Sequence, residues 1–96
     1  MSDIAQLRSL KATVVGRVQG VSFRYTTQRK AVELGLTGWV QNQPNGDVLT
    51  LAEGKEEALR EFLGFLHQGP RYARVEQVQA EWGSAEGRFS RFTITG

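Results

Sequence analysis

The residues best suited to chemistry lie in one short stretch, Gly16-Arg-Val-Gln-Gly-Val-Ser-Phe-Arg24. Glycines at positions 16 and 20 allow the backbone to curl so that successive amide N–H groups point into one concavity, which favours an anion. The free amides at the start of a following helix add a partial positive charge. Arg24, in the first turn of that predicted helix, offers a planar guanidinium that pairs with phosphate or carboxylate in a bidentate manner. The stretch therefore predicts a site for a small oxyanion.

The same spacing leaves a structural alternative open. No Lys-Ser or Lys-Thr pair follows the second glycine, so the stretch is not a Walker loop, and it lacks the glycine pattern of a dinucleotide site. A tight turn between a strand and a helix, with Arg24 solvated or paired with an acid, would account for the same residues.

A second candidate side chain is Asn42, which ends a predicted strand just before a hairpin. Its amide offers one acceptor and two donors, so it can hold a water molecule. In a split βαβ fold the first strand pairs with the third and the third with the second, which would bring Asn42 near the loop. The alternative is that Asn42 only starts the hairpin, since Asn is common near turns.

Composition excludes several other kinds of site. The 96 residues suffice for one domain, and without cysteine they offer neither a disulfide framework nor a thiolate nucleophile. The single histidine, His67, cannot build a metal cluster alone, and late in a predicted helix we expect it to be structural. A net charge of +2 is too small to argue for nucleic acid. We therefore expect no metal, no cofactor and no nucleic-acid partner.

The sequence carries no sign of export or of membrane insertion. No apolar run approaches the roughly 18–20 residues of a membrane span, and Met1 to Leu10 contains no apolar stretch like that of a signal peptide. We therefore expect a cytoplasmic protein with no membrane partner. No long apolar edge is predicted to be exposed, so we also expect a monomer.

Periodicity and turn residues predict the elements that would position these candidates. Asn45-Gly46 between two apolar runs indicates a tight hairpin. Ser22 is the predicted N-cap of the first helix, and Gly35 fits a left-handed C-terminal cap. In chain order the predicted elements are strand 10–18, helix 22–34, strands 36–42 and 48–53, helix 55–68, strand 75–82 with a bulge, and strand 89–95.

This order, β-α-β-β-α-β with a short extra C-terminal strand, predicts an α+β fold of the ferredoxin-like split β-α-β kind (βαββαβ). Two helices would cover one face of a mainly antiparallel sheet. Trp39, Trp82 and Phe92 are expected in the core. We predict one domain over residues 10–96, preceded by residues 1–9, which lack a periodic pattern and which we expect to be mobile.

Two stretches together resemble one known family. Gly16 to Arg24 closely resembles the phosphate loop of the acylphosphatase family, and Leu34-Gly-Leu-Thr-Gly-Trp-Val-Gln-Asn42 resembles its second signature. The resemblance continues through Asn45-Gly46, the helix 55–68, Gly69-Pro-Arg-Tyr-Ala-Arg-Val75 and Phe92-Thr-Ile94. It covers about residues 10 to 95, and two long motifs at the right separation are more specific than either alone.

The resemblance implies a role for each residue of the first motif and for the end of the second. The family's catalytic arginine falls on Arg24 and its catalytic asparagine on Asn42. Its phosphate-binding backbone falls on Gly16, Arg17, Val18, Gln19, Gly20, Val21, Ser22 and Phe23. Ser22 occupies a position that varies among relatives, and Gln41 stands where many relatives have arginine. Neither difference from the family's pattern changes the roles that the resemblance implies.

The activity implied by the resemblance is hydrolysis of small acyl phosphates to a carboxylate and inorganic phosphate. The leaving carboxylate has a pKa of about 4–5, by analogy with Asp and Glu, so it departs without a general acid. Phosphoryl transfer then depends on positioning and charge neutralisation. The expected partner is therefore a small-molecule acyl phosphate, and the expected chemistry needs no metal.

Two other functions suit the same fold. An RNA-recognition module would need aromatic and basic residues on its third strand, and Val48-Leu-Thr-Leu-Ala-Glu53 has neither. A catalytically silent regulatory domain that binds a small anion is the alternative left open, since a loop and an arginine suffice for binding without turnover.

Overall fold

The structure, a computed structural model, describes residues 7–96. The elements are β1 (Leu7–Arg17), α1 (Phe23–Glu33), β2 (Thr37–Asn42), β3 (Val48–Lys55), α2 (Glu56–Gln68), β4 (Arg74–Ser84) and β5 (Phe92–Thr95). All the predicted elements are present, although several begin or end elsewhere. Since β1 begins at Leu7, residues 7–9 of the segment expected to be mobile belong to a strand. Residues 1–6 of that segment lie outside the described residues.

The strands form one sheet in the order β4-β1-β3-β2-β5. Neighbouring strands are antiparallel except β2 and β5, which run parallel. Helix α1 packs on β2 and β5, α2 packs on β1, β3 and β4, and the helices contact each other. The predicted α+β ferredoxin-like fold with an extra C-terminal strand is confirmed. Within residues 7–96, neither helix has the length and apolar character needed to cross a membrane.

The core lies between the helices and one face of the sheet. Alternate residues of β1 at positions 10, 12 and 14 are fully buried, whereas Lys11 between them is exposed on the other face. The helices bury the faces that their periodicity predicts: Phe23, Thr27 and Ala31 of α1, and Leu59, Phe62 and Leu66 of α2. Each of the buried Phe and Leu side chains contributes roughly 1.5–3 kcal/mol.

The three aromatic residues expected in the core differ in burial. Phe92 is buried and meets Phe62 edge-on, with ring centroids 5.9 Å apart. Trp39 is half-buried because it lies on the sheet face without helices. Trp82 packs only partly against the core, since the guanidinium groups of Arg8 and Arg60 lie over its ring at 5.5 and 5.3 Å.

β4 carries the irregularity that its sequence predicts. The pairing with β1 shifts between Val15 and Gly16, so that β4 has one extra residue, Glu76, at this point. Gly16 has a φ of 140°, and a Cβ atom there would lie 2.1 Å from the carbonyl oxygen of Arg74. Glycine therefore allows the two backbones to approach closely just where β1 leaves the sheet.

The last strand is shorter than predicted, since β5 begins at Phe92 and not at Phe89. The connection before it is held by a carboxylate instead of by pairing in the sheet. The backbone N–H groups of Glu86 and Gly87 donate to the two carboxylate oxygens of Glu53, at 2.9 and 3.0 Å. Glu53 is only 6% exposed, so these donors take the place of water around its charge.

The Glu53→Gln variant tests this anchor. It keeps the shape of the side chain but removes the charge and one of the two acceptor oxygens. We expect the free energy of unfolding in urea to fall by about 1–2 kcal/mol, because hydrogen bonds to charged groups contribute roughly 1.5–3 kcal/mol and neutral ones about half as much.

The matched control is Glu76→Gln, the same chemical change at an exposed position of β4, away from any helix N-terminus. Its free energy of unfolding should change by less than about 0.5 kcal/mol, as is usual for surface substitutions. Equal stability of the two variants would contradict an anchoring role for Glu53.

Candidate active site

A cleft of about 200 Å³ opens where β1 ends and α1 begins. The strand order explains its position: Asn42 of β2 and Val14 of β1 both pair with Val48 of β3. The chain that leaves β1 therefore passes beside the end of β2. Arg24 and Asn42, the two side chains with predicted catalytic roles, both line this cleft. The other lining residues are Val18, Gly20, Ser22, Phe23, Tyr25 and Ile94.

The loop between β1 and α1 has a backbone suited to an anion. Gly20 and Ser22 have φ values of 76° and 63°, whereas Val21 between them does not have a positive φ. Alternation of this kind turns successive N–H groups toward one concavity. Within residues 7–96, no backbone N–H from Gln19 to Tyr25 donates a hydrogen bond to the protein. These amides remain available to a ligand.

Ser22 occupies the N-cap position of α1, as predicted, but its side chain makes no capping hydrogen bond. Instead its carbonyl oxygen accepts hydrogen bonds from the N–H and the hydroxyl of Thr26, at 3.0 and 2.8 Å. The first turn of α1 contains no acidic side chain. Among the described residues, neither a capping side chain nor an acidic side chain of this turn therefore competes with an incoming anion for the positive end of the helix.

Arg24 is half-buried in this first turn. Its Nη1 donates to the carbonyl oxygen of Gly96 at 3.4 Å, longer than the usual range of about 2.7–3.2 Å. No carboxylate side chain of the described residues forms an ion pair with it. The guanidinium therefore keeps most of its hydrogen-bonding capacity for a ligand.

Asn42 ends β2 with one polar atom that lacks a partner. Its Oδ1 is buried and accepts no hydrogen bond from any described residue. Nearly all buried polar atoms in proteins are hydrogen-bonded, so this oxygen has capacity for a ligand or a water molecule at the cleft. Thr27 Oγ1 is the other such atom among residues 7–96, but it lies in the core beneath α1.

Gln19 joins the loop to the hairpin between β2 and β3. Its Nε2 donates to the backbone carbonyl oxygens of Gln43 and Asp47, at 2.8 and 2.9 Å. Because Gln43 follows Asn42 directly, these bonds hold the amide-rich loop at a set distance from the asparagine. The family resemblance assigned Gln19 to the phosphate loop through its backbone. Nothing in the local sequence indicated this contact of its side chain.

Part of the predicted phosphate loop does not line the cleft. Gly16 lies at the bulge, Arg17 is exposed, and Val21 packs half-buried against the core. Tyr25 and Ile94 do line it, although neither was a predicted site residue. An aromatic residue beside an anion loop was a usable signal for Tyr25. Ile94 lies in the Phe92-Thr-Ile94 stretch that carries the family resemblance, but its place at the cleft depends on the parallel pairing of β5 with β2, which the local sequence did not indicate.

The charged groups at the cleft are few. Among the described residues, no Asp, Glu or His lines it, and no group of three or more His, Cys, Asp or Glu is placed to hold a metal ion. The clear pKa shifts lie elsewhere. The hydrogen bond from Arg60 lowers the pKa of Glu56, and the hydrogen bond with Glu61 raises the pKa of Lys30. The cleft can bind and neutralise an anion through amides and one guanidinium.

The chain matches known proteins over most of its length. Residues 10–94 match the family model described as Acylphosphatase. The chain is 55% identical over 78 residues to a protein named Acylphosphatase from Thermus thermophilus, which covers 81% of this chain and 89% of that one. It is 44% identical over 87 residues to another protein of that name from Salinibacter ruber, over 91% of this chain and 92% of the relative. A solved acylphosphatase structure from Coxiella burnetii matches with a TM-score of 0.92 at 36% identity, over 99% of each chain.

The contact of Gln19 can be tested by binding. The Gln19→Ala variant removes the two bonds to the hairpin but leaves every backbone amide in place. We expect inorganic phosphate to bind about 3- to 10-fold more weakly by isothermal titration calorimetry, the loss expected for hydrogen bonding worth roughly 0.5–1.5 kcal/mol.

The control is Gln79→Ala, at an exposed glutamine of β4, which should bind phosphate as the unchanged protein does. If Gln19→Ala also binds phosphate with unchanged affinity, its side chain does not position the loop.

Proposed function

Because the chain belongs to the acylphosphatase family, we propose that it hydrolyses the carboxyl–phosphate bond of small acyl phosphates, giving a carboxylate and inorganic phosphate. The observation that carries the proposal is one cleft that brings together the Arg24 guanidinium, the Asn42 amide and backbone amides that have no partner within residues 7–96. The amides and the guanidinium suit a phosphoryl group, and the Asn42 oxygen suits a water molecule.

In this proposal the phosphoryl group binds to the loop of residues 16–23 and to Arg24. The amides donate to the phosphoryl oxygens, and the guanidinium adds a bidentate, charge-assisted pair of hydrogen bonds. Negative charge on these oxygens is redistributed as the bond to the leaving group breaks. Donors that are already oriented stabilise that charge without reorganising, which is the main contribution available in a site of this kind.

The attacking water is assigned to Asn42. Its Oδ1 accepts a hydrogen bond from the water and holds the water oxygen in line with the bond that breaks. A new O–P bond forms, the P–O bond to the acyl group breaks, and its electron pair leaves on the carboxylate. Since no side-chain base among the described residues lines the cleft, the proton passes to a phosphoryl oxygen of the substrate.

Arg24→Ala tests the binding half of the proposal. With benzoyl phosphate as substrate and EDTA present, we expect kcat/KM to fall at least about 10²-fold, as for the loss of an oriented donor in other enzymes. Turnover of the unchanged protein in EDTA should equal turnover without it, since we propose a reaction that needs no metal or cofactor.

The control is Arg91→Ala, which removes an exposed arginine before β5 and should leave kcat/KM unchanged. Circular dichroism checks that both variants are folded. A folded Arg24→Ala variant with full activity would contradict the proposed role of Arg24 in binding the phosphoryl group.

The Asn42→Ala variant tests the proposed role of Asn42 in positioning the attacking water. We expect kcat to fall at least about 10²-fold because the water is no longer positioned. The affinity for inorganic phosphate should stay within about twofold, since the amides and Arg24 are untouched. The double variant Arg24→Ala, Asn42→Ala should be no slower than the slower single variant if the two residues act as a unit.

Two outcomes contradict this assignment in different ways. Full turnover by a folded Asn42→Ala variant would leave phosphate binding intact but end the role in water positioning. Phosphate binding by the unchanged protein without turnover of any acyl phosphate would favour the alternative, a catalytically silent anion-binding domain of the same fold.

A further inference from the structure

The cleft contains two large apolar side chains that are exposed. Tyr25 is 54% exposed and Ile94 is 38% exposed, and both line the cleft with Arg24 and Asn42. Single exposed apolar residues are ordinary on protein surfaces. Two of them on the walls of one small cleft, beside the groups that suit a phosphoryl group, are instead placed to contact whatever the phosphoryl group carries.

The two side chains belong to different elements of the fold. Tyr25 follows Arg24 in the first turn of α1. Ile94 lies on β5, opposite Val40 of β2 and on the same sheet face as Phe92. Phe92 is 3% exposed beneath the helices, whereas Ile94, two residues later on the same face, is 38% exposed. On this face of β5 the exposed apolar side chain therefore lies at the cleft.

Tyr25 is also held by a neighbour on the helix. The guanidinium of Arg29 lies 5.8 Å from the centre of its ring, one turn further along α1. Such a cation–π contact restricts the ring before any ligand arrives, and a side chain that is already oriented loses less freedom on binding. The Tyr25 ring is thus partly preorganised for contact with a ligand.

The size and charge of the cleft indicate which part of a ligand would contact Tyr25 and Ile94. A cleft of about 200 Å³ is smaller than the roughly 300–1,000 Å³ of sites that enclose a drug-sized ligand. A phosphoryl group at the amides therefore leaves the rest of the substrate near the mouth. Apart from Arg24, no charged side chain lines the cleft among the described residues. In the described part of the chain, the cleft therefore offers this part of the substrate apolar contact but no second cationic side chain.

We propose that Tyr25 and Ile94 form an acyl-binding wall, which makes the site selective for acyl phosphates with an aromatic or bulky aliphatic acyl group over acetyl phosphate. This inference rests on the proposed function. The two side chains bind the part of the substrate that does not react, so they determine specificity and take no part in the bond changes.

The test compares each variant with the unchanged protein on two substrates, benzoyl phosphate and acetyl phosphate. We expect Tyr25→Ala to lower kcat/KM for benzoyl phosphate about 10-fold, the loss expected for exposing part of an aromatic contact, and to lower it much less for acetyl phosphate. Ile94→Ala should act in the same direction. Tyr25→Phe should retain the discrimination between the two substrates, since it keeps the ring.

The control is Tyr72→Ala. Tyr72 is 74% exposed outside the cleft, and Arg71 lies over its ring at 5.7 Å, much as Arg29 lies over Tyr25. This variant should leave both values of kcat/KM unchanged. If Tyr25→Ala lowers kcat/KM equally for both substrates, Tyr25 acts through the fold of the loop, and the acyl-binding wall is wrong.

Binding of phosphonates, which are not hydrolysed, separates failure of the wall from failure of the proposed function. Benzylphosphonate should bind more tightly than methylphosphonate, and Tyr25→Ala should remove most of the difference. Acyl phosphate turnover with no such difference would overturn the wall and leave the function standing. The same difference without turnover would overturn the function and support the wall as part of an anion-binding site.

Discussion

The site is organised around backbone amides that have no hydrogen-bond acceptor among the residues that the structure describes. Every N–H group needs an acceptor, and within residues 7–96 the protein supplies none to the amides from Gln19 to Tyr25. Water or a ligand must therefore supply it. The contacts around the loop fix its backbone in the conformation that presents these donors.

Contacts at three positions fix the course of the loop. Gly16 allows β1 to lie against the backbone of Arg74 at the bulge, Gln19 bonds to two hairpin carbonyls, and the carbonyl of Ser22 accepts from Thr26. Ser22 itself has a left-handed backbone, which costs a residue other than glycine roughly 1–3 kcal/mol. Such a conformation persists only where its surroundings impose it. Here the surrounding contacts come from the sheet, from the hairpin between β2 and β3, and from α1.

Local sequence patterns predict most of the fold. Three patterns can each be recognised from neighbouring residues alone: the alternation of apolar and polar residues in β1, the helical spacing of apolar residues in α2, and the Asn45-Gly46 turn. The order of the elements then favours one topology. That topology is also why Arg24 and Asn42, far apart in the chain, could be expected near each other. The fold and the family are confirmed, whereas the roles of these residues stay predictions.

The contacts that the sequence did not predict are long-range contacts of single side chains. Gln19 bonds across to the hairpin, and the carboxylate of Glu53 binds two amides of a distant connection. Ser22 fits the N-cap preference, yet its side chain leaves that bond unmade because its backbone is left-handed. Propensity describes what a residue does with its neighbours in the chain. It does not describe which distant backbone group will need a partner.

On the proposed function, the cleft handles the two halves of its substrate by different forces. The amides and Arg24 bind charge, which changes as the reaction proceeds, so their contribution can be larger in the transition state than in the bound substrate. The wall at Tyr25 and Ile94 binds an acyl group that does not change until the bond breaks, so it contributes to affinity and specificity. The atoms of the acyl group that contact Tyr25 and Ile94 are the same before and during the reaction. The wall therefore stabilises the bound substrate and the transition state to a similar extent, so it discriminates between acyl groups without lowering the barrier from the bound substrate.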